Sequence, residues 1–271
     1  MTTFDFIAES FCRVDDDLTD LPKDPRAHLW PSEIVTLGIL FVLKGKSERA
    51  FYRWLERDCL CLFPRLPERT RLFRLLATHR VWADRFLAQP TLLGVCDSFG
   101  VELIHPKREG RSAAQIGKKG LSNHRWIVGI KWCPLLNSRG QIVDWDADTA
   151  NVHDGLFQEK ESLLADYARG EKGMVVFVDT GFHKSQKNGG DLANLKICKK
   201  GENNLRMLVE TLFSQISGVF GMKKLTERRW PPVEAHLGFA AAAYNLLISW
   251  GGSLTIDNDG FVQLGIAQFS L

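Results

Sequence analysis

The sequence predicts an α/β fold: a mixed β-sheet flanked by helices and preceded by an all-helical region. Three observations carry this. Residues 1–90 place apolar side chains at helical spacing with no β-type alternation. Beyond about residue 91, short runs rich in Val and Ile alternate with helical stretches. Two of those runs end in aspartate. A chain of 271 residues has room for one large domain or two modest ones, and the change of pattern divides it into 1–90 and 91–271.

Pro31-Ser32-Glu33 opens the apolar run IVTLGILFVLKG, with Pro and Ser suited to a helix start and Gly45 to its end. Ser47 caps SERAFYRWLERDCLCLF, in which Arg49, Arg53 and Arg57 form an i,i+4 row. Pro64 and Pro67 break the chain before a third helix, ERTRLFRLLATHRVWADRFLA. LLGVCDS is a short strand ending in an acid. WIVGIKWCPLL and QIVDWDADT are strands joined by the hairpin connection NSRG. Residues 155–168 predict an amphipathic helix, and MVVFVD a strand buried on both faces. LKICKK is a fifth strand, followed by the helix RMLVETLFSQI. After Trp230-Pro231-Pro232 comes an apolar helix, VEAHLGFAAAAYNLLISW, and an Asn258-Asp259-Gly260 turn lies in the tail. Three strands with hairpin character, a helix, two strands and a helix follow the element order of a ribonuclease H-like domain.

Composition excludes several classes. No stretch approaches the roughly 20 apolar residues of a membrane helix, and MTTFDFIAES lacks the basic start of a signal peptide; a cytoplasmic protein with no membrane partner is expected. Six scattered cysteines form no CxxC pair and the histidines no HExxH, so free buried thiols are expected rather than zinc. The net charge of +3 conceals an asymmetry. Residues 1–90 balance 14 bases against 13 acids. In the stretch 105–125, expected as a loop, Lys107, Arg108, Arg111, Lys118, Lys119 and Arg125 face a single acid, Glu109. Lys199-Lys200, Lys223-Lys224 and Arg228-Arg229 add basic pairs, and clusters of this kind point to a polyanion such as nucleic acid.

The candidate chemistry lies in carboxylates. Asp97 and Asp179 each end a buried strand, where open α/β sheets collect ligands. In a ribonuclease H-like sheet the first and fourth strands are neighbours, which would set the two side by side. Glu210, in the apolar helix MLVETLF, comes from a helix able to pack across the same rim. Three clustered carboxylates repel unless cations neutralise them, and oxygen ligation suits Mg²⁺ or Mn²⁺. Two such ions about 4 Å apart activate a water or a DNA 3′-hydroxyl and stabilise the leaving oxygen of a phosphodiester.

These residues carry a family resemblance. WPSEIVTLGILFVLKGKSERAFYRWL, LFPRLPERTRLFRLL, VCDSFGVELIH, GLSNHRWIVGIKWCPLLNSRGQIV, TANVHD, FVDTGFH and MLVETLFSQI occur in this order between about Phe11 and Trp250. In this the chain resembles bacterial insertion-sequence transposases of the DDE class, in particular the insertion-sequence 982 group. The resemblance implies Asp97, Asp179 and Glu210 as ligands of two Mg²⁺ or Mn²⁺ ions, and Arg206, four residues before Glu210, as a phosphate-contacting or Glu-orienting group. It also implies double-stranded DNA as partner (terminal inverted repeats and target DNA), gripped by the basic clusters, and a homodimer or larger assembly. His153-Asp154 matches a recurrent position, read here as a loop turn. The chain departs from the family at Thr180, where relatives carry Lys, and at Ser217, where a basic residue is common.

Overall fold

In the computed structural model the described residues are 2–111, 115–122, 125–159, 163–167, 173–184, 190–199, 205–251, 255–256 and 262–263. Helix α1 (Thr3–Asp17) starts from a capping box: the Thr2 hydroxyl accepts from the Asp5 amide, and the Asp5 carboxylate accepts from the Thr2 amide. In α2 (Pro31–Lys44) proline occupies the first turn, Glu33 accepts from the Trp30 amide at 2.6 Å, and Gly45 ends the helix at φ 56°. α3 (Glu48–Asp58) follows Ser47. The third predicted helix is shorter than its pattern: α4 (Arg69–Thr78) stops at His79 and the chain continues as a 3₁₀ turn, Arg80–Phe86.

Seven strands build the main sheet: β1 (Leu93–Cys96), β2 (Phe99–Ile104), β3 (Lys118–Ser122), β4 (Arg125–Asn137), β5 (Ile142–Thr149), β6 (Val175–Val178) and β7 (Leu195–Ile197). β4 is the hub. Gly129 pairs with both Glu102 and Lys118, Ile130 with Val101 and Thr149, and Leu136 with Val95 and Ile142. So β1 and β2 take one edge of β4, and β3 and β5 the other, all antiparallel. β1 then pairs parallel with β6, and β6 parallel with β7. The β4–β5 connection is the predicted one: Gly140 has φ 75°, and the Asn137 side chain accepts from the amides of Arg139 and Gln141.

Two strands lie outside the predicted five. β2 escapes notice because Glu102 interrupts its apolar run; it is buried, its carboxylate matched by Arg125 and Lys224. β3 turns part of the expected 105–125 loop into a hairpin with β4. The amphipathic helix predicted over 155–168 is instead a 3₁₀ turn, Asp154–Gln158, and a single turn α5 (Leu163–Asp166), residues 160–162 lying outside the described set. Gln158 explains the break: its side chain is spent on the Phe182 carbonyl, Asp191 and the Leu192 amide.

Helix α6 (Arg206–Gly218) packs against β1, and α7 (Trp230–Gly251) against α2, α4 and the 3₁₀ turn at 80–86. The mixed sheet is thus flanked by helices on both faces. One face shares a continuous apolar cluster with α1–α4, α6 and α7; the other is covered by Phe157, Leu164, Tyr167 and Phe182. No break in the core falls at residue 90. α7 is buried nearly throughout, as is α2, and the Phe239 ring of α7 packs against Gly38 of α2, where a Cβ would lie 2.4 Å from it. Among the described residues no helix is long and apolar enough to cross a membrane. All six cysteines are free; Cys59, Cys96, Cys133 and Cys198 are buried as expected, Cys12 and Cys61 exposed. β8 (Thr255–Ile256) and β9 (Val262–Gln263) pair in the tail, and the Asn258-Asp259-Gly260 turn lies outside the described residues.

Candidate active site at the sheet rim

The parallel register of β1 and β6 runs Leu93 to Val175, Gly94 to Val176 and Val95 to Phe177. Carried two residues further, it brings Asp97 and Asp179 out side by side at one rim. Arg206, the first residue of α6, sets its guanidinium 3.5 Å from Asp97 Oδ2 and 3.9 Å from Asp179 Oδ2. The Asp97 carboxylate accepts from the Ser98 amide at 2.7 Å. Asp179 accepts from the Gly181 amide at 2.8 Å, which caps the 3₁₀ turn Thr180–Phe182 and fixes its rotamer.

Asp97 is electrostatically strained. Burial, and then the negative charge of Asp179, push its carboxyl up to about 7; the Ser98 amide and Arg206 pull the other way, and Asp154 pushes up. Asp154 enters from the turn that follows β5. Its Oδ1 accepts from Lys131 Nζ at 2.8 Å, and the same ammonium donates to the Val152 carbonyl at 2.8 Å. A Cβ on Gly181 would lie 3.0 Å from Asp179 Oδ1 and 3.2 Å from Asp154 Oδ2, so both carboxylates crowd the space beside this glycine. His153 behaves as the expected turn residue, its Nδ1 accepting from the Gly155 amide. Asp154 does more than turn the chain, since it adds a third carboxylate to the rim.

The rim therefore gathers Asp97, Asp179, Asp154 and Arg206, with Lys131 behind Asp154. Glu210 stands one turn beyond Arg206 on α6, exposed, and forms no ion pair among the described residues. Among those residues no three acids, histidines or cysteines are close enough together to hold an ion jointly. Lys131 was not singled out in the sequence, although its signal is there: it is the one cation within the apolar strand WIVGIKWCPLL.

The predicted basic residues fall on the surface. Lys107 and Arg108 lie in a 3₁₀ turn, Pro106–Arg108, with Arg111 after it, all exposed. Lys118 and Lys119 are exposed on β3, Lys119 Nζ lying 5.3 Å over the Trp126 ring. Arg125 opens β4 and is committed to Glu102. Lys199, Arg228 and Arg229 are exposed, whereas Lys200 lies outside the described residues. Compared with protein-family models, characterised proteins and solved structures, the chain matches none.

Proposed function

We propose that this chain is a metal-dependent DNA transposase of the DDE class, which cuts at transposon ends and transfers the freed 3′-hydroxyls into target DNA. The observation that carries the reading is the register-matched pair Asp97 and Asp179 beneath the Arg206 guanidinium. The strand order β5–β4–β1–β6–β7, three antiparallel then two parallel, supports a ribonuclease H-like catalytic unit over 91–271 behind an all-helical N-terminal unit.

The donor set fits a hard divalent cation. The possible ligands at the rim among the described residues are the carboxylates of Asp97, Asp179 and Asp154, beside the Arg206 guanidinium, and Mg²⁺ is commonly held by one or two carboxylates, with water or substrate oxygens completing the shell. Asp97 and Asp179 would hold Mg²⁺ or Mn²⁺, and Glu210 or Asp154 would have to move closer to serve as the third acid. Bound there, the metal supplies Lewis acidity and an activated water or 3′-hydroxyl. The chain's own groups do the rest. Arg206 offers a guanidinium to a phosphate oxygen or orients the acids. Lys131 holds the Asp154 carboxylate in place through its ammonium, and supplies the cation that Thr180 does not. The basic surface positions the duplex.

The test uses the full chain with DNA ends carrying flanking sequence, in Mg²⁺ or Mn²⁺. Wild type should nick and join; Asp97→Asn and Asp179→Asn should bind ends but neither cut nor join. Full activity in either variant would overturn the assignment. Hydrolysis without joining would leave a nuclease on the same fold. A second reading, a transposase-derived DNA-binding protein, draws support from Arg206 lying against both aspartates while Glu210 faces solvent. It predicts end binding with no cleavage in either metal.

A further inference from the structure

Some basic clusters far apart in the sequence are neighbours in space. The segment at Lys223–Leu225 lies along β2: the Glu102 amide donates to the Lys223 carbonyl, and the Leu225 amide to the Glu102 carbonyl. The buried Glu102 carboxylate holds Lys224 Nζ at 3.0 Å and the Arg125 guanidinium. A few residues on, the Ile116 amide donates to the Arg228 carbonyl, tying the start of the β3–β4 hairpin to the chain that leads into α7. Arg228 and Arg229 then line a cleft of about 610 Å³, together with Arg49 and Arg69 from the first turns of α3 and α4.

All four guanidinium groups are exposed, and none makes an ion pair among the described residues. Two carboxylates, Glu48 and Glu227, share the cleft with the four arginines. Glu227 is engaged by buried His236 at 3.2 Å; Glu48 is pushed above its usual range by burial and then by Glu227, with Arg69 pulling the other way. Neither Ser47 nor Glu68 caps its helix with its side chain, so first-turn amides of α3 and α4 remain available beside the arginines. Four like charges in one cleft repel, and a guanidinium matches a phosphate through paired N–H donors. A linear polyanion is therefore the fitting occupant.

We propose that this four-arginine cleft grips the phosphate backbone of duplex DNA. It is one end of a continuous track that begins at the β3–β4 hairpin, so that the helical region and the sheet hold the same duplex. The choice of DNA as the polyanion rests on the function proposed above; the cleft and its free arginines do not.

The test measures binding of the full chain to a fluorescent duplex of random sequence over a series of KCl concentrations. Arg49→Ala/Arg69→Ala should lower the slope of log affinity against log salt by about 2, close to 0.9 per phosphate contact. Its deficit relative to wild type should then shrink about tenfold between about 50 and about 200 mM salt. Arg49→Lys/Arg69→Lys should keep most of the slope. Should the alanine pair misfold by circular dichroism, Arg228→Ala/Arg229→Ala, on an exposed segment, makes the same prediction. An unchanged slope in the alanine variants, or as large a loss in the lysine pair, overturns the proposal. If such variants still cleave ends normally, the cleft fails while the transposase reading stands. If wild type binds steeply through the cleft but never cleaves, the cleft stands and the transposase reading fails. Absence of duplex binding by wild type overturns both.

Discussion

Replacing Asp97 by Asn should stabilise the metal-free protein at alkaline pH. The Asp97 carboxyl titrates at about 7 in the folded chain against an ordinary 3.8, raised first by burial and then by Asp179. At about 1.4 kcal/mol per pH unit, that difference costs the folded state about 4 kcal/mol once the group is ionised. The side chain keeps 23% of its surface exposed, so water screens part of this, and about 2 kcal/mol is the working figure. Because the folded value lies above the unfolded one, wild-type stability is complete below about pH 4 and is lost as pH rises toward 7. Asparagine stays neutral throughout and still accepts from the Ser98 amide. The variant should therefore match wild type near pH 4 and exceed it by about 2 kcal/mol at pH 8, roughly 4–8 °C in Tm for a chain of this size. The assay is thermal unfolding in chelator across this pH range, repeated with Mg²⁺, which should raise the wild-type Tm and leave the variant nearly unmoved. Equal Tm values at pH 8, or the same offset at both pH extremes, would refute the electrostatic account of this rim.

Lys131→Met should destabilise the fold by about 3 kcal/mol in urea, because it strands the largely buried Asp154 carboxylate; a loss below about 1 kcal/mol would show that solvent already screens it. Gly38→Ala must displace Phe239 and should lose about 1–3 kcal/mol, with Phe239→Leu in the same chain recovering part of it; no recovery would place the strain elsewhere. Glu210→Gln keeps a good helix former of similar shape and should cut the cleavage rate about 100-fold or more with duplex binding unchanged. If it is harmless while Asp154→Asn is inactive, Asp154 is the third acid.

Much of the sheet was legible because its signals are local. β1, β6 and β7 are short, largely apolar runs, β4 is a long apolar one and β5 alternates apolar side chains with aspartates, and Asn137 to Gly140 closes a hairpin with its own side-chain hydrogen bonds. What escaped depends on partners distant in sequence. β2 reads as too polar until Arg125 and Lys224 meet Glu102. The helix expected over 155–168 has a sound amphipathic pattern, yet Gln158 finds three better-placed partners in the chain from 182 to 192 and the helix does not form there. Local propensity of a few tenths of a kcal/mol per residue yields to such tertiary contacts.

The rim shows the same division between local and distant information. Asp97 and Asp179 could be paired from sequence because each ends a strand, and a parallel register carries strand ends to one place. The helical contribution could not be read as easily. Helix α6 brings Arg206 against both aspartates, while the residue one turn on, Glu210, faces solvent; a helix can present only about one side chain per turn to a narrow rim. With Arg206 seated there, a further carboxylate comes from the turn after β5, where Lys131 fixes Asp154 beside Gly181. Arg206 and Glu210 are i,i+4 neighbours on one face of α6, so Glu210 could join the aspartates, as the proposed metal site would require, only if Arg206 were displaced. If the rim binds metal as proposed, that displacement would couple binding to the seating of α6 on β1.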